Sequence, residues 1–274
     1  MFLRFKTSIF VISLSLATGV FALGQAVPAK TDETKPQPAA TPVSKGVSKT
    51  VTAEDVAESA ILVYAFPGGR VTLNQIRKTA IERGKTSVQN AEGRMTQASY
   101  QKFTTRGETI GKEKIRLDQE FPGTRYSLVY NEDKIFGIAN DTVFDPLEGA
   151  SRSFQNQIVY GLETLLRYKE NESKLELGGR EKIMGVDLYV LDVTDKQNRK
   201  TRFYISAKSF YVKILEYEDA GVKYKRKFYN YNYAQGTLVP YRSVLWAGDK
   251  MVEETEIGTV TYGQKVDDGM FAAS

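Results

Sequence analysis

The sequence predicts an α+β protein built mostly on antiparallel β-sheet, and three observations carry that prediction. First, residues 175–219 repeat a strand-and-turn pattern in which Gly185, 195–198 and 207–209 interrupt runs rich in Val, Ile, Leu, Tyr and Phe. Second, each interruption is short, so successive strands are antiparallel neighbours in a meander. Third, the period changes at 153–168, where Phe154, Ile158, Leu162, Leu165 and Leu166 recur at helical intervals with Val159 and Tyr160 beside them. That places an amphipathic helix between two sheet halves.

The first residues read as an address. Arg4 and Lys6 precede an uncharged apolar run over 7–23, and Gly24-Gln25-Ala26 supplies small residues, so 1–26 is expected to be a secretory signal peptide cleaved after Ala26 or Gly24. Residues 27–50, rich in Pro, Lys, Thr and Ala, have little to bury and read as a disordered linker. The net charge of +5 belongs mostly to this part. Six of the 38 basic and two of the 33 acidic residues lie before Val51, leaving +1 for the rest. The basicity that would suggest nucleic acid is therefore outside the folded part, and no nucleic-acid partner is expected.

What remains, 51–274, is roughly 220 residues, enough for one sizeable domain, and a second linker is not visible. Thr52-Ala53-Glu54-Asp55 opens it as an N-cap with an acidic residue three positions on. Val56, Ala60, Ile61, Val63 and Tyr64 follow at helical spacing, and Pro67-Gly68-Gly69 stops the helix. Residues 75–88 and 94–106 read as a long hairpin, with 73–83 open to a helical alternative. In 114–121, Ile115, Leu117 and Gln119 alternate with Lys114, Arg116, Asp118 and Glu120, the pattern of a strand with one wet face. Turns at Pro122-Gly123, 131–133 and Asn140-Asp141 then give three more strands. After the helix, Thr201, Phe203 and Ile205 share one face of their strand. Residues 186–193 are apolar on both faces and must be covered on both, by helices, by the sheet itself or by a guest. Long strands at 222–233, 239–247 and 251–262 complete the sheet, and Met270 and Phe271 tuck back onto its edge. The Lys223, Lys225, Lys227 row reads as a solvated strand face that resists edge pairing.

The chain contains no Cys and no His. Disulfide stapling, imidazole bases and most zinc or iron sites are thereby excluded. Gly107-Glu108-Thr109-Ile110-Gly111-Lys112 falls short of a phosphate loop, having three residues between its glycines and Glu113 where Ser or Thr is required. Ser99-Tyr100-Gln101-Lys102 spells S-x-x-K without the partner motifs that make it catalytic. The carboxylates of Asp118 and Glu120 read as strand-face charges rather than an acid–base pair. No enzyme activity and no cofactor are expected.

Residues 178–271 resemble the outer-membrane lipoprotein-sorting proteins, the LolA-like group. The likeness lies in Gly179-Arg180-Glu181-Lys182, Gly185, Tyr189-Val190-Leu191 and Thr201-Arg202-Phe203-Tyr204-Ile205. It continues in Leu238-Val239-Pro240-Tyr241-Arg242 and closing Val266-Asp267-Asp268-Gly269-Met270-Phe271. The resemblance implies an open, strongly curved antiparallel half-barrel wrapped around two or three helices, with a hydrophobic cavity between them. It implies a periplasmic carrier of lipoprotein acyl chains or lipid, partnered by membrane-bound donor or acceptor proteins, or a sensing module of the same fold. On this reading Tyr160, Leu162, Leu165 and Leu166 belong to a lid helix, and Tyr189, Phe203, Ile205, Tyr241 and Trp246 line the sheet. Leu165→Glu or Leu166→Glu is then expected to reduce bound lipid and spare the fold. The arginine that latches the lid in this group has three candidates here, Arg83, Arg106 and Arg167.

Overall fold

The computed structural model of the chain describes residues 50–90 and 92–273. The signal-peptide reading, and the linker up to Lys49, lie outside them. Among the described residues a thirteen-stranded antiparallel sheet carries four α-helices on one of its faces. In chain order these are α1 (Ala53–Tyr64), α2 (Gly69–Ile76), β1 (Thr79–Gln89), β2 (Met95–Thr105), β3 (Lys114–Phe121), β4 (Thr124–Asn131), β5 (Lys134–Ala139) and β6 (Thr142–Phe144). Then come α3 (Glu148–Val159), α4 (Leu162–Leu166), β7 (Lys174–Ile183), β8 (Val186–Thr194), β9 (Lys200–Ser206), β10 (Val212–Asp219), β11 (Val222–Ala234), β12 (Thr237–Ala247) and β13 (Lys250–Tyr262).

Strand order is β6-β5-β4-β3-β2-β1-β13-β12-β11-β10-β9-β8-β7, and the sheet does not close. Two meanders are joined where β1 meets β13, with Ala80 opposite Tyr262 and Val88 opposite Glu253. Every other neighbour is a hairpin partner. Several hairpins turn on two residues that both have positive φ, such as Glu132-Asp133, Asn140-Asp141 and Met184-Gly185. This backbone matches the right-handed twist of the flanking strands.

The helix layer shows that the sheet curves. α1 touches β12 and also β7 and β8. In a flat sheet β12 and β7 would lie about 24 Å apart, five steps of about 4.8 Å, which is more than the ~18 Å length of a twelve-residue helix. The strands therefore wrap α1. Thr52 caps α1 and shares a reciprocal capping box with Asp55, as the sequence predicts. Val56, Ala57, Ala60, Ile61 and Tyr64 of α1 have no exposed surface and enter the main core with Phe203, Ile205, Leu191 and Leu215.

Three local outcomes refine the sequence reading. Residues 69–76 are helical, and the strand begins only at Thr79, so the helical alternative for 73–83 holds in its first turn. The predicted helix over 153–168 starts earlier, at Glu148, and divides into α3 and α4 around Gly161. Gly161 is extended (φ −78°, ψ −177°), and the chain passes so close that a Cβ there would lie 2.7 Å from the Gln157 carbonyl oxygen. The doubly apolar β8 is covered on its outer side by the sheet itself, where Leu188 and Val190 pack with Tyr204 and Ile214. The tail tucks in, with Phe271 fully buried, but onto β3 and β4 rather than the sheet edge. There Arg116 Nη1 donates to the Met270 carbonyl and Asn131 Nδ2 to that of Phe271.

Candidate functional site

A cavity of about 280 Å³ lies between α3–α4 and the strands β1–β3 and β11–β13. This is near the lower edge of the ~300–1,000 Å³ that small-molecule sites occupy. Its apolar wall is made by Phe154, Ile158 and Leu162 from the helices and by Ile115, Phe228, Val239, Ile257 and Val260 from the strands. Its other wall is ionic, with Arg77, Arg106, Glu113, Glu163, Arg226 and Glu253 among the lining residues.

The ionic groups fasten the helices to the sheet at three points. Gln157 of α3 donates Nε2 to Glu253 Oε2 (2.9 Å), and the second oxygen of Glu253 accepts from Arg226 Nη1 at 2.7 Å. Glu163 of α4 accepts from Arg77 Nη1 at 2.7 Å and from Arg106 Nη2 on its other oxygen. Arg167, just past α4 and 2% exposed, donates to Glu113 and to the carbonyls of Gly107 (2.6 Å) and Glu108 (3.0 Å). The two carboxyls respond in opposite directions. Burial would raise Glu163, but Arg106 and Arg77 hold it down at about 2. For Glu113 burial prevails over the neighbouring Arg167, and its carboxyl is pushed up to about 7.

No family model and no curated sequence matches the chain. Solved structures do. A DUF1329 family protein from Desulfovibrio piger superposes with a TM-score of 0.57 at 15% identity, covering 81% of this chain and 98% of that one. A LolA superfamily protein from Nitrosomonas europaea gives 0.58 at 13% identity, over 81% and 98%. A protein from Vibrio parahaemolyticus described as an outer membrane lipoprotein-sorting protein domain gives 0.51 at 14%, over 80% and 97%.

The chain has the LolA-like fold. Within that LolA-like frame the predicted site residues separate into groups. Leu162 lines the cavity. Leu165 and Leu166, on the same short helix, have no exposed surface and face the core, as do Phe203 and Ile205. Tyr160 stacks on Tyr217 with ring centroids 4.2 Å apart, and Tyr189 stacks on Phe210 at 6.1 Å. Tyr241 is half-buried beside Val239, Val260 and Tyr262. Trp246 is half-buried beneath Lys227, whose Nζ lies 5.0 Å from its ring.

Of the three candidate latch arginines, Arg106 and Arg167 join the helices to the sheet, whereas Arg83 lines a separate recess with Gln101 and Arg125. The lysine row on β11 is interleaved with acids, Lys223 opposite Glu218 and Lys225 paired with Glu216 at 2.8 Å. Asp118 is engaged by Arg116 (2.7 Å) and Ser127 (2.6 Å). Sequence reasoning missed Arg77, Glu113, Glu163, Arg226 and Glu253. The one signal for Glu163 was a carboxylate set among the leucines of an apolar helix face.

Proposed function

We propose that the chain is a non-catalytic periplasmic carrier that holds the acyl chains of a lipoprotein or lipid for transfer to the outer membrane. On this reading 51–274 is the carrier domain, following the signal peptide 1–26 and the linker 27–50. The observation that carries it is the cavity under α3–α4, whose polar rim is fastened to the sheet by ion pairs and hydrogen bonds. These fastenings are charge-assisted, worth about 1.5–3 kcal/mol each, and their loss is offset where water or a ligand head group takes the vacated place. A chain that enters gains about 0.8 kcal/mol for each buried methylene, so non-covalent holding suffices. Leu162 would touch the chain in the closed form, and Tyr160, Leu165, Leu166, Tyr189, Phe203 and Ile205 would form the wall that yields when α4 moves. The description of the Vibrio parahaemolyticus structure as lipoprotein-sorting supports the same reading. Among the described residues no helix is long and apolar enough to cross a membrane.

A sensing or protein-interaction role is the second reading. It is favoured by exposed apolar side chains at the α1–α2 corner, where Phe66 is 65% and Val71 68% exposed. Native mass spectrometry of the protein purified from its own envelope tests both. The carrier predicts an acylated species that leaves on organic extraction. Protein free of lipid, but with a bound polypeptide, would turn the conclusion to the second reading.

A further inference from the structure

At the mouth of the cavity two guanidiniums share one carboxylate, and neither depends on it for its position. Arg77 donates Nε to Thr237 Oγ1 (3.0 Å) and Nη2 to the Leu238 carbonyl (2.9 Å), which leaves Nη1 for Glu163. Arg106 donates Nη1 to Asn74 Oδ1 (3.1 Å), and Asn74 is itself held on Glu170 (2.8 Å), which leaves Nη2 for Glu163. The arginine side chains are 10% and 8% exposed, that of Glu163 29%. The carboxylate is thus the looser member, and its departure would leave two anchored N–H donors aimed at one carboxylate-sized opening. Two cations against one anion also leave that opening positive. The apolar wall starts at the adjacent Leu162 and runs on through Ile158 and Phe154.

We propose that Arg77 and Arg106 receive the carboxylate head of a single-chain amphiphile, a long-chain fatty carboxylate, which takes the place of Glu163 while its chain fills the cavity. This rests on the carrier reading and adds to it a head-group chemistry and a means of release. Ligand and Glu163 compete for the same two donors, so entry of the ligand unfastens α4 and its departure lets α4 close. A carboxylate fits because the site already holds one with a single N–H on each oxygen, Arg77 on Oε1 and Arg106 on Oε2. The volume of about 280 Å³ suits one chain rather than several.

Binding of palmitate, hexadecanol and hexadecyl phosphate to the full chain tests the idea, with circular dichroism melts confirming that each variant folds. Palmitate is expected to bind about tenfold more tightly than hexadecanol, the difference a charged hydrogen-bonded head makes. Glu163→Gln should raise palmitate affinity about tenfold and hexadecanol affinity by less, because the internal competitor for the head-group donors has gone while the looser α4 helps both chains. Arg106→Gln should abolish the preference, and if that variant does not fold the Glu163→Gln comparison decides alone. Equal binding of palmitate and hexadecanol in wild type and variants would overturn the head-group proposal and leave the carrier reading standing. Tighter binding of hexadecyl phosphate than of palmitate would overturn the carboxylate assignment. Failure of all three to bind would remove the carrier reading as well.

Discussion

Arg106, the residue after β2, and Glu163, the second residue of α4, form an ion pair that ties the helix layer to the sheet across the mouth of the cavity. The pair is only partly open to water, so it is screened less than a surface pair and its loss leaves a charge in a poorly solvated place. Alanine at each position in a double-mutant cycle should give a coupling of about 1–3 kcal/mol from chemical denaturation. Both single variants should speed hydrogen exchange at the amides of α4 more than at those of α1. A coupling near zero would mean that this pair does not hold the helix.

Glu113 and Glu163 make stability depend on pH from opposite sides. The folded Glu113 carboxyl titrates at about 7, above the usual carboxylate range, so its contribution is complete below the unfolded value and is lost as pH rises through 7. The folded Glu163 carboxyl titrates at about 2, so its contribution is present above the unfolded value and is lost as pH falls toward 2. Thermal melts should therefore peak near the ordinary carboxylate value, about 4.3, and fall from there toward about 7. Glu113→Gln should flatten the loss near pH 7 and leave the acid side unchanged, while Glu163→Gln should do the reverse.

Leu165 and Leu166 are too deeply buried to serve as probes of the cavity. Each has no exposed surface, so a carboxylate there is an unpaired charge in the core, expected to cost at least about 4 kcal/mol and to unfold the domain. This replaces the sequence-based expectation that glutamate at either position would spare the fold. Leu162, which lines the cavity, is the informative position. Leu162→Glu should fold with a cooperative melt and lose most bound lipid by mass spectrometry, whereas Leu165→Glu should lose the melt itself.

The difference between Leu162 and Leu165 shows which parts of the molecule are legible in sequence. Alternation in a strand and spacing in a helix say which face is apolar, and so Phe203, Ile205, Ile115 and Leu117 are placed correctly before any coordinates. Those patterns do not say whether an apolar residue meets another side chain or an empty space, which is decided by residues distant in the chain. The cavity depends on β1 meeting β13, a pairing of strands nearly the whole domain apart that no local signal specifies. Charges mislead for a related reason. Nothing in the sequence marks Arg226 and Glu253 as buried, yet they lie 2.7 Å apart facing the cavity, because the sheet turns that side toward the helices.

The division of one predicted helix into α3 and α4 has a local cause that can be tested by a single methyl group. Gly161 sits where a Cβ would lie 2.7 Å from the Gln157 carbonyl oxygen, a backbone atom fixed within α3. Gly161→Ala must push α4 away from α3, and should destabilise by about 1–3 kcal/mol. Gly149, near the start of α3, has nothing within 4 Å of the same added atom. There the methyl group only restricts the unfolded chain and favours the helix, so Gly149→Ala should stabilise by about 0.5–1 kcal/mol. Opposite signs for the same substitution in one α3–α4 segment, read from Tm, would show that the break at Gly161 is steric. Equal and small effects would mean that the turn at Gly161 absorbs the methyl group without displacing α4, and the break would then not be steric.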